Sequence, residues 1–449
     1  MTDAWAPVVR VPSGVRWSTA TAAFQIEGAR TADGRGRSIW DDFVDTPGHV
    51  RDGATAEPGP DSYHRSAADI ALLRELGVDR YRFSVSWVRV QPDGTGPASS
   101  AGLAYYDRLV DGLLEAGITP FPTLYHWDLP AELEAEGGWL ERDTAERFAE
   151  YTEQVAALVG DRVKHWYTIN EPVSTSLQGY AIGELAPGRQ LLFDALPTVH
   201  HQLLAHGRAV AVLRAHGAEA VGIANNHTWV LPASDADADR TAAHLYDLIH
   251  NRLFAEPLLT GAYPDLSALG AELPVQGGDM ELISEPSDFY GVNFYNPTTI
   301  AATPAGAPVP FAPVATVGAE HTGFGELWPV EPGSLTAFLV DSKQRYGDAL
   351  PPIVIGENGA SFPEPDQTIG AIDDRERIAY LAGHINAVAD AAAQGVDIEE
   401  YTVWSLLDNF EWAHGFTQRF GLVHVDHSSS QRTPKASFGW YRDLIASTR

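Results

Sequence analysis

Apolar residues recur along this chain at helical spacing, and each helical stretch is followed by a glycine and a short β-branched or aromatic run. Ile70, Leu73 and Leu76 fall on one face of a helix. Gly77 ends that helix, and residues 81–85 are typical of a buried strand. Glycine readily takes the left-handed conformation at a helix C-terminus, which explains why it recurs at the same place in each unit.

The same unit is repeated over most of the chain. Glycines end the later helical stretches at Gly117, Gly160, Gly217, Gly347 and Gly395. The strands predicted in this way are residues 17–22, 81–85, 118–124, 165–169, 221–224, 289–294, 353–355 and 398–406. Strands that alternate with helices form a parallel sheet, and eight such units predict a closed (β/α)8 TIM barrel.

A doubly wound open sheet is the competing architecture. Its dinucleotide-binding form loses its main support because no Gly-x-Gly-x-x-Gly follows any predicted strand. Residues 303–332 are rich in Pro, Gly and Ala and resemble an interdomain linker, but two more strand units follow them. An insertion over the barrel mouth is therefore favoured. We predict a single domain over residues 1–449 with extended βα loops.

Composition narrows the possible partners and the location. With 30 Lys+Arg against 60 Asp+Glu, the net charge of −30 repels phosphate backbones and anionic headgroups. Neither nucleic acid nor an anionic membrane is expected as a partner. The absence of cysteine excludes disulfides and fits a reducing compartment. Residues 1–12 resemble no signal peptide, and no apolar run reaches about 18 residues, so the cytoplasm is the expected location.

Polar or amphipathic residues follow the predicted strands directly. In a barrel of this kind the active site lies where the strands end and the βα loops begin. One such residue alone has a plain explanation, since a strand must end in something polar. A whole set converging on one rim instead predicts a binding site. The set is Gln25, Arg82, His126, Asn170, Glu171, Asn225, Tyr295, Glu357 and Trp404.

Two members of this set are glutamates at strand exits. Pro172 restrains Glu171 to extended geometry, and an Asn-Gly turn signal follows Glu357. Each alone is equally well interpreted as a solvated surface carboxylate. Together, two carboxyls on one barrel rim are what glycoside hydrolysis needs, one as general acid and the other as nucleophile or base. Tryptophans suited to the apolar faces of sugar rings lie on the same rim: Trp127, Trp404 and Trp412.

Histidines cluster on two predicted helices, His200, His201 and His206 on one and His244 and His250 on the other. A zinc site is one hypothesis for them. No His-Glu-x-x-His motif or matching carboxylate set accompanies them, so ordinary helix packing is favoured. We predict no metal.

Several motifs carry a family resemblance over essentially the whole chain. Their ordered set is far more specific than a lone Asn-Glu-Pro. They are Trp17-Ser-Thr-Ala-Thr-Ala-Ala-Phe-Gln-Ile-Glu-Gly-Ala29, Arg82-Phe-Ser-Val-Ser-Trp87, Thr123-Leu-Tyr-His-Trp-Asp-Leu-Pro130, Asn170-Glu-Pro172, Asn293-Phe-Tyr295, Glu357-Asn-Gly359 and Trp404-Ser-Leu-Leu-Asp-Asn-Phe-Glu-Trp412. The chain resembles family 1 of the glycoside hydrolases, the β-glucosidase family.

This resemblance implies a retaining double displacement. Glu357 matches the nucleophile, and Glu171 matches the residue that acts first as acid and then as base. Retaining geometry places two such carboxyls about 5–5.5 Å apart. The positions that keep the nucleophile ionised and oriented are matched by Arg82, Asn293 and Tyr295. The positions that bind the sugar are matched by Gln25, His126, Asn170, Tyr295, Glu411 and Trp412, with Trp404 as the platform beneath the ring.

Some positions discriminate within the family or depart from it. A small polar residue typically replaces Glu411 in members that prefer 6-phosphosugars, so the glutamate implies an unphosphorylated sugar. Gly356 stands where Thr or Ser is usual, and Val15 where Phe is usual. Val173 follows Asn-Glu-Pro in place of the common Trp, which leaves the leaving group undetermined.

The expectation is an exo-β-glycosidase with a small-molecule β-glycoside substrate, favouring β-glucosides, and no cofactor. A β-galactosidase, a β-fucosidase or a transglycosidase of the same family is the nearest alternative. A non-catalytic sugar-binding barrel is the runner-up from another class, and a metal-dependent barrel hydrolase is third. The oligomeric state is left open.

Overall fold

A computed structural model describes residues 7–364 and 372–449. Residues 1–6, which belong to the N-terminal stretch considered for a signal peptide, lie outside the described residues. The strands are β1 (Arg16–Ala20), β2 (Arg80–Ser84), β3 (Thr119–Tyr125), β4 (His165–Asn170), β5 (Ala220–His227), β6 (Val230–Pro232), β7 (Phe289–Phe294), β8 (Thr298–Ala302), β9 (Phe311–Val314), β10 (Ile353–Asn358), β11 (Ile398–Trp404), β12 (Val423–Asp426) and β13 (Gln431–Pro434).

Helices alternate with these strands over the described ranges. The α-helices are α1 (Ala23–Ile26), α2 (Ile39–Asp45), α3 (Ser62–Leu76), α4 (Trp87–Val90), α5 (Ser100–Glu115), α6 (Ala131–Ala135), α7 (Asp143–Val159), α8 (Leu196–Ala215), α9 (Asp237–Asp247), α10 (Leu253–Thr260), α11 (Asp279–Ile283), α12 (Gly333–Tyr346), α13 (Arg375–Ala393) and α14 (Ala436–Ser447). Two π-helical segments span Ser174–Ala181 and Leu248–Arg252. Short 3-10 turns span Ala32–Gly34, Arg51–Gly53, Gly138–Leu140, Leu192–Ala195, Ser267–Leu269, Gly347–Ala349 and Trp412–His414. No helix among the described residues has the length and apolar character needed to span a bilayer.

Eight parallel strands close into a barrel, in the order β1, β2, β3, β4, β5, β7, β10 and β11, with β11 pairing back to β1. This confirms the predicted TIM barrel, and each of the predicted strands is present. The last strand ends at Trp404, not at residue 406. The reason is that the following backbone pairs elsewhere: Leu422 donates to the Ser405 carbonyl and Val423 to the Leu406 carbonyl.

Among the residues that the structure describes, five short strands lie outside the barrel. Strands β6, β8 and β9 form a three-stranded sheet, and β12 pairs with β13 in an antiparallel hairpin. The Pro- and Gly-rich segment 303–332 contains β9, which pairs antiparallel with β8. The three-stranded sheet therefore follows the ends of β5 and β7, on the side of the barrel where its active-site loops begin.

Glycine ends the helices for two different physical reasons. Gly77 has φ of 78° and caps α3, as predicted. Gly160 follows α7 with φ of −66°, which is right-handed, so the prediction of a left-handed cap is wrong there. A Cβ atom at Gly160 would lie 2.5 Å from the Ala156 carbonyl oxygen. The glycine is required here because a side chain would contact the backbone of the last turn of α7, and not because φ is positive.

Two arginines on β2 fill the barrel interior. Arg80 and Arg82 are two positions apart and therefore point to the same side of the strand. The Arg80 guanidinium lies 5.1 Å from the Phe121 ring centroid and donates to Glu400 Oε2 at 2.9 Å. The Arg82 guanidinium lies 4.4 Å from the Tyr167 ring centroid. Arg82 is the nearer of the two to the strand ends, and it connects the barrel core to the rim.

Arg80→Met is expected to lower the free energy of unfolding by about 3–5 kcal/mol, because it leaves the Glu400 carboxylate buried without its cation. The double variant Arg80→Met with Glu400→Leu removes both charges and should recover most of that loss. Urea-induced unfolding followed by tryptophan fluorescence measures both values. Equal losses in the single and double variants would contradict a compensated buried ion pair.

Candidate active site

Two glutamates stand at the carboxyl ends of β4 and β10. Glu171 follows β4 directly, and Glu357 is the penultimate residue of β10. Glu171 has φ of 47°, in the left-handed region, so the extended geometry predicted from Pro172 is wrong. The pairing of β4 with β5 becomes irregular between Tyr167 and Asn170, and that of β10 with β7 between Ile355 and Glu357. Such irregularities re-aim side chains at the rim of a barrel. Both glutamates are buried, with exposed fractions of 4% and 3%.

Glu357 is held at both carboxylate oxygens. Oε1 accepts from Arg82 Nη1 at 2.7 Å, and Oε2 accepts from the Tyr295 hydroxyl at 2.6 Å. Arg82 Nη1 also donates to the Gly356 carbonyl at 2.9 Å, next to the glutamate itself. The sequence predicted both Arg82 and Tyr295 as partners of Glu357, and both contact it.

Glu171 accepts three hydrogen bonds. Asn293 Nδ2 and Asn226 Nδ2 donate to Oε1, at 2.7 and 3.1 Å. The Ser174 hydroxyl donates to Oε2 at 2.7 Å. Asn293 was predicted to support Glu357, whereas the structure places its amide nitrogen on Glu171. Asn226 and Asn293 are directly paired across β5 and β7, so one strand register delivers both amides.

A continuous chain of hydrogen bonds joins the two glutamates. Arg82, which contacts Glu357, also donates through Nη2 to Asn170 Oδ1 at 2.6 Å. The same oxygen accepts from Asn293 Nδ2 at 3.0 Å, and Asn293 donates onward to Glu171. Because a guanidinium only donates, it fixes the orientation of the Asn170 amide and, through it, that of Asn293. Three side chains therefore couple the positions of the two carboxyls.

Burial controls the ionisation of the carboxyls at the rim. It raises the pKa of Glu357 to about 7, since Arg82 lowers this pKa by less than lost hydration and the Glu171 charge raise it. The pKa of Glu357 is therefore raised, whereas the Arg82 cation alone would lower it. Burial, followed by the charges of Glu357 and Glu171, also raises the pKa of Glu411 to about 8. The pKa values of Glu357 and Glu411 therefore both depend on the charges of neighbouring carboxylates.

Several buried acceptors at the site have no donor among the described residues. Glu411 Oε2 and Gln25 Oε1 are two of them. Gln25 Nε2 is satisfied by the Phe410 carbonyl at 2.8 Å and by Asn409 Oδ1 at 3.1 Å, which leaves its oxygen free. A buried acceptor without a partner is costly, and a ligand rich in hydroxyl groups supplies the missing donors.

Aromatic rings surround the imidazole of His126. The rings of Trp404 and Trp412 both lie 5.9 Å from it at an interplanar angle of 20°. Trp127 packs on Trp412 at 4.5 Å. Burial and the Arg82 charge hold the pKa of His126 well below its usual range, so its ring is neutral. His126 Nε2 faces Asn170 Nδ2 at 3.1 Å, and we assign the amide as the donor.

The sequence prediction missed some contacts at the rim. It named Asn225 at the end of β5, but the Asn225 amide donates to the Tyr290 hydroxyl at 2.8 Å, and its neighbour Asn226 contacts Glu171. Successive strand residues face opposite sides, so choosing the wrong one of two asparagines inverts the direction. Ser174 was not singled out, although it lies three residues after Glu171, a separation that joins side chains across a helical turn.

The clustered histidines take part in packing. His200 Nε2 contacts Asp279 Oδ2 at 2.9 Å, His201 Nδ1 the Trp139 carbonyl at 2.9 Å, and His206 Nδ1 the Thr168 hydroxyl at 2.7 Å. These partners differ for each histidine, so the three rings do not converge on one point.

Within the described ranges, one group of side chains has the spacing of possible metal ligands: Glu364, Asp408 and His424. Lys435 Nζ lies 2.6 Å from Glu364 Oε2 and 2.8 Å from Asp408 Oδ1. Arg419 Nη1 lies 3.1 Å from Asp408 Oδ2. Side-chain cations therefore already compensate these carboxylates.

A parallel barrel with two buried, hydrogen-bonded carboxyls at strand ends, beside aromatic rings and unpaired acceptors, defines a glycoside hydrolase. The model of glycosyl hydrolase family 1 matches residues 9–449. The chain belongs to glycosyl hydrolase family 1.

Known relatives extend over the full length of the chain. Beta-glucosidase A of Acetivibrio thermocellus is 42% identical over 446 residues, covering 97% of this chain and 98% of that protein. The bifunctional beta-D-glucosidase/beta-D-fucosidase of Bifidobacterium breve is 40% identical over 462 residues, covering 97% and 98%. The crystal structure of a psychrophilic beta-glucosidase from Micrococcus antarcticus has a TM-score of 0.93 at 44% identity, covering 98% of both chains.

Proposed function

We propose that this chain is a retaining exo-β-glucosidase that removes terminal non-reducing β-D-glucosyl residues, with Glu357 as nucleophile and Glu171 as acid and base. The observation that carries the proposal is the hydrogen-bond chain from Glu357 through Arg82, Asn170 and Asn293 to Glu171. It ties a carboxyl held by a cation to a second carboxyl held by neutral donors. The cation opposes the effect of burial on the pKa of Glu357 and so favours the ionised form that a nucleophile needs.

In the first step Glu171 gives its proton to the glycosidic oxygen while a Glu357 oxygen attacks the anomeric carbon. The carbon–oxygen bond to the leaving group breaks, and a covalent glycosyl-enzyme ester forms. Arg82 and Tyr295 hold one Glu357 oxygen each, so the carboxylate cannot rotate away from the attack direction. The positioning of both reactants is the main contribution of these neighbours.

In the second step Glu171, now ionised, removes a proton from water. The water oxygen attacks the anomeric carbon and releases Glu357, so the sugar leaves with its original β configuration. No step needs a cofactor. If a sugar hydroxyl takes the place of water, the same intermediate gives transglycosylation.

The glucosyl unit is proposed to bind at the unpaired acceptors and the aromatic rings. Gln25 Oε1 and Glu411 Oε2 accept from sugar hydroxyls. Trp404 supplies an apolar surface for the sugar face, while His126, Asn170 and Trp412 complete the polar contacts. Residues 1–449 are proposed to act as one catalytic domain, and the cytoplasm remains the proposed location.

β-Fucosidase activity is the second candidate, because the Bifidobacterium breve relative bears that name together with β-glucosidase. A β-D-fucoside lacks the 6-hydroxyl and has the opposite configuration at C4, so a site that binds the 2- and 3-hydroxyls retains those contacts. A panel of aryl β-glycosides that differ only in the sugar measures the preference between glucoside, fucoside and galactoside.

Glu171→Ala separates the acid role from the base role through the leaving group. Dinitrophenolate needs no protonation, so the first step should survive with dinitrophenyl β-glucoside. The leaving group of cellobiose needs protonation. The kcat/KM for cellobiose should therefore fall by about 10²–10⁴-fold more than the kcat/KM for dinitrophenyl β-glucoside. The glycosyl-enzyme should accumulate as a burst, and azide, which needs no deprotonation, should restore turnover as the β-glycosyl azide.

Glu184→Ala is the matched control, since Glu184 is an exposed glutamate of the loop after the same strand. It should change neither the leaving-group dependence nor the response to azide. Equal losses on the two substrates in Glu171→Ala, without azide rescue, would exclude Glu171 as the acid and base.

Tyr295→Phe is expected to move the acid limb of the kcat/KM–pH profile to higher pH by about one unit. The Tyr295 hydrogen bond lowers the pKa of Glu357, so removing it raises that pKa above its value of about 7. The nucleophile must be ionised, and activity is then lost at a higher pH as the pH falls. Tyr290→Phe is the control, because its hydroxyl contacts Asn225 and His227. An unmoved acid limb in Tyr295→Phe would contradict this assignment.

Glu411 should discriminate against glucoside 6-phosphate, and more strongly as the pH rises from 6 to 8. Burial and the neighbouring acids raise the pKa of Glu411 to about 8, so its repulsion of the phosphate grows as it ionises over this range. The measured quantity is the ratio of kcat/KM for the glucoside to kcat/KM for its 6-phosphate. Between pH 6 and pH 8 this ratio should rise about tenfold more in the wild type than in Glu411→Gln. A wild-type preference for the phosphorylated sugar would refute this role.

A further inference from the structure

Ser174 is a buried residue that contacts the proposed acid and base directly. It begins the π-helical segment Ser174–Ala181 and has an exposed fraction of 6%. Its hydroxyl lies 2.7 Å from Glu171 Oε2. Val173 precedes it at the position where the family commonly has Trp, so this part of the site differs from the usual pattern.

The other oxygen of Glu171 is already occupied by donors. Asn293 Nδ2 and Asn226 Nδ2 both point at Oε1. The orientation of the Asn293 amide is not free, because Arg82 fixes Asn170 Oδ1 as an acceptor and Asn293 must present nitrogen to it. Two N–H donors at Oε1 leave no room for a hydroxyl hydrogen there. A protonated Glu171 therefore carries its proton on Oε2.

A hydroxyl group is suited to both protonation states of Oε2. It accepts from an O–H and donates to a carboxylate oxygen, whereas an amide nitrogen only donates. We propose that Ser174 is a positioning residue that keeps the transferable proton on Glu171 Oε2 and stabilises the carboxylate left after the transfer. This inference rests on the proposed function, since it assigns Ser174 a part in the same reaction.

The proton balance of the step leaves Ser174 unchanged. Before the substrate binds, the Glu171 Oε2–H can donate to Ser174 Oγ, which lies within hydrogen-bond distance. With the substrate bound, this hydrogen turns to the glycosidic oxygen, because one hydrogen cannot serve both acceptors. As the glycosidic bond breaks, its electron pair stays on the leaving oxygen, which takes this proton. The Ser174 O–H then donates to Oε2, and it accepts again when Glu171 takes a proton from water. Ser174 neither gains nor loses a proton overall.

A purely structural role for the hydroxyl is the alternative. The backbone already closes this turn, because the Ser174 N–H donates to the Glu171 carbonyl at 3.0 Å. The turn therefore does not depend on the side-chain hydrogen bond. A role in proton transfer further predicts that the effect of losing the hydroxyl depends on the leaving group, which a structural role does not.

The experiment compares kcat/KM for dinitrophenyl β-glucoside with kcat/KM for cellobiose. In Ser174→Ala the ratio of the two should rise about tenfold, because only cellobiose needs the proton. Ser174→Cys retains the size of the side chain with a weak donor and should behave in the same way, which covers the case in which the alanine variant folds poorly. Ser174→Thr keeps the hydroxyl and should keep the wild-type ratio within about twofold.

Thr175→Val is the matched control in the same helix, since Thr175 is equally buried and should leave the ratio unchanged. An unchanged ratio in both Ser174→Ala and Ser174→Cys, with either equal losses or no loss on the two substrates, would overturn the role of Ser174. Glu171→Ala distinguishes the two proposals. If that variant depends strongly on the leaving group while the Ser174 variants do not, only the inference on Ser174 fails.

Discussion

The guanidinium of Arg82 is the buried charge on which both the barrel and its site depend. Its side chain, 1% exposed, donates to Glu357, Asn170, the Gly356 carbonyl and the Thr123 hydroxyl. Those partners belong to β10, β4 and β3, while Arg82 itself belongs to β2. A buried cation is tolerated only when it is paired and fully hydrogen-bonded. The strand register that satisfies Arg82 is therefore also the register that brings the two glutamates together.

Buried carboxyls lie close together near this cation, and aromatic rings exclude water from them. The ionisation of Glu357 and of Glu411 therefore depends on the charges of their neighbours. Lost hydration raises the pKa of Glu357 more than Arg82 lowers it, and the charge of Glu171 raises it further. Ionising both Glu357 and Glu411 is costly in such a place, because burial and neighbouring negative charge raise the pKa of each. A hydroxyl group that donates to Glu411 Oε2 removes part of that cost, so binding of such a ligand and the ionisation of Glu357 are linked.

Sequence patterns could predict the barrel because most of its strands are largely apolar and follow a glycine-ended helix, with polar or amphipathic residues at or just after their ends. They could also predict that Glu171 and Glu357 share a rim, since all strands of a parallel barrel end on one side. The direction in which a side chain at the rim points was harder to predict from the sequence. Asn225 and Asn226 are adjacent, and only the register with β7 decides which one faces Glu171. The short strands β6, β8 and β9 gave no alternation long enough to detect.

Gly356 explains how the strand that carries Glu357 packs closely against Asn293, which contacts Glu171. A Cβ atom at this position would lie 2.7 Å from Asn293 Oδ1 and 3.3 Å from the Tyr167 hydroxyl. A larger residue would therefore have to displace the Asn293 side chain, which donates to Glu171. The glycine lies directly before Glu357, and its carbonyl accepts from Arg82. The glycine thus lies at the point where the supports of the two carboxyls meet, and the close approach of Asn293 depends on it.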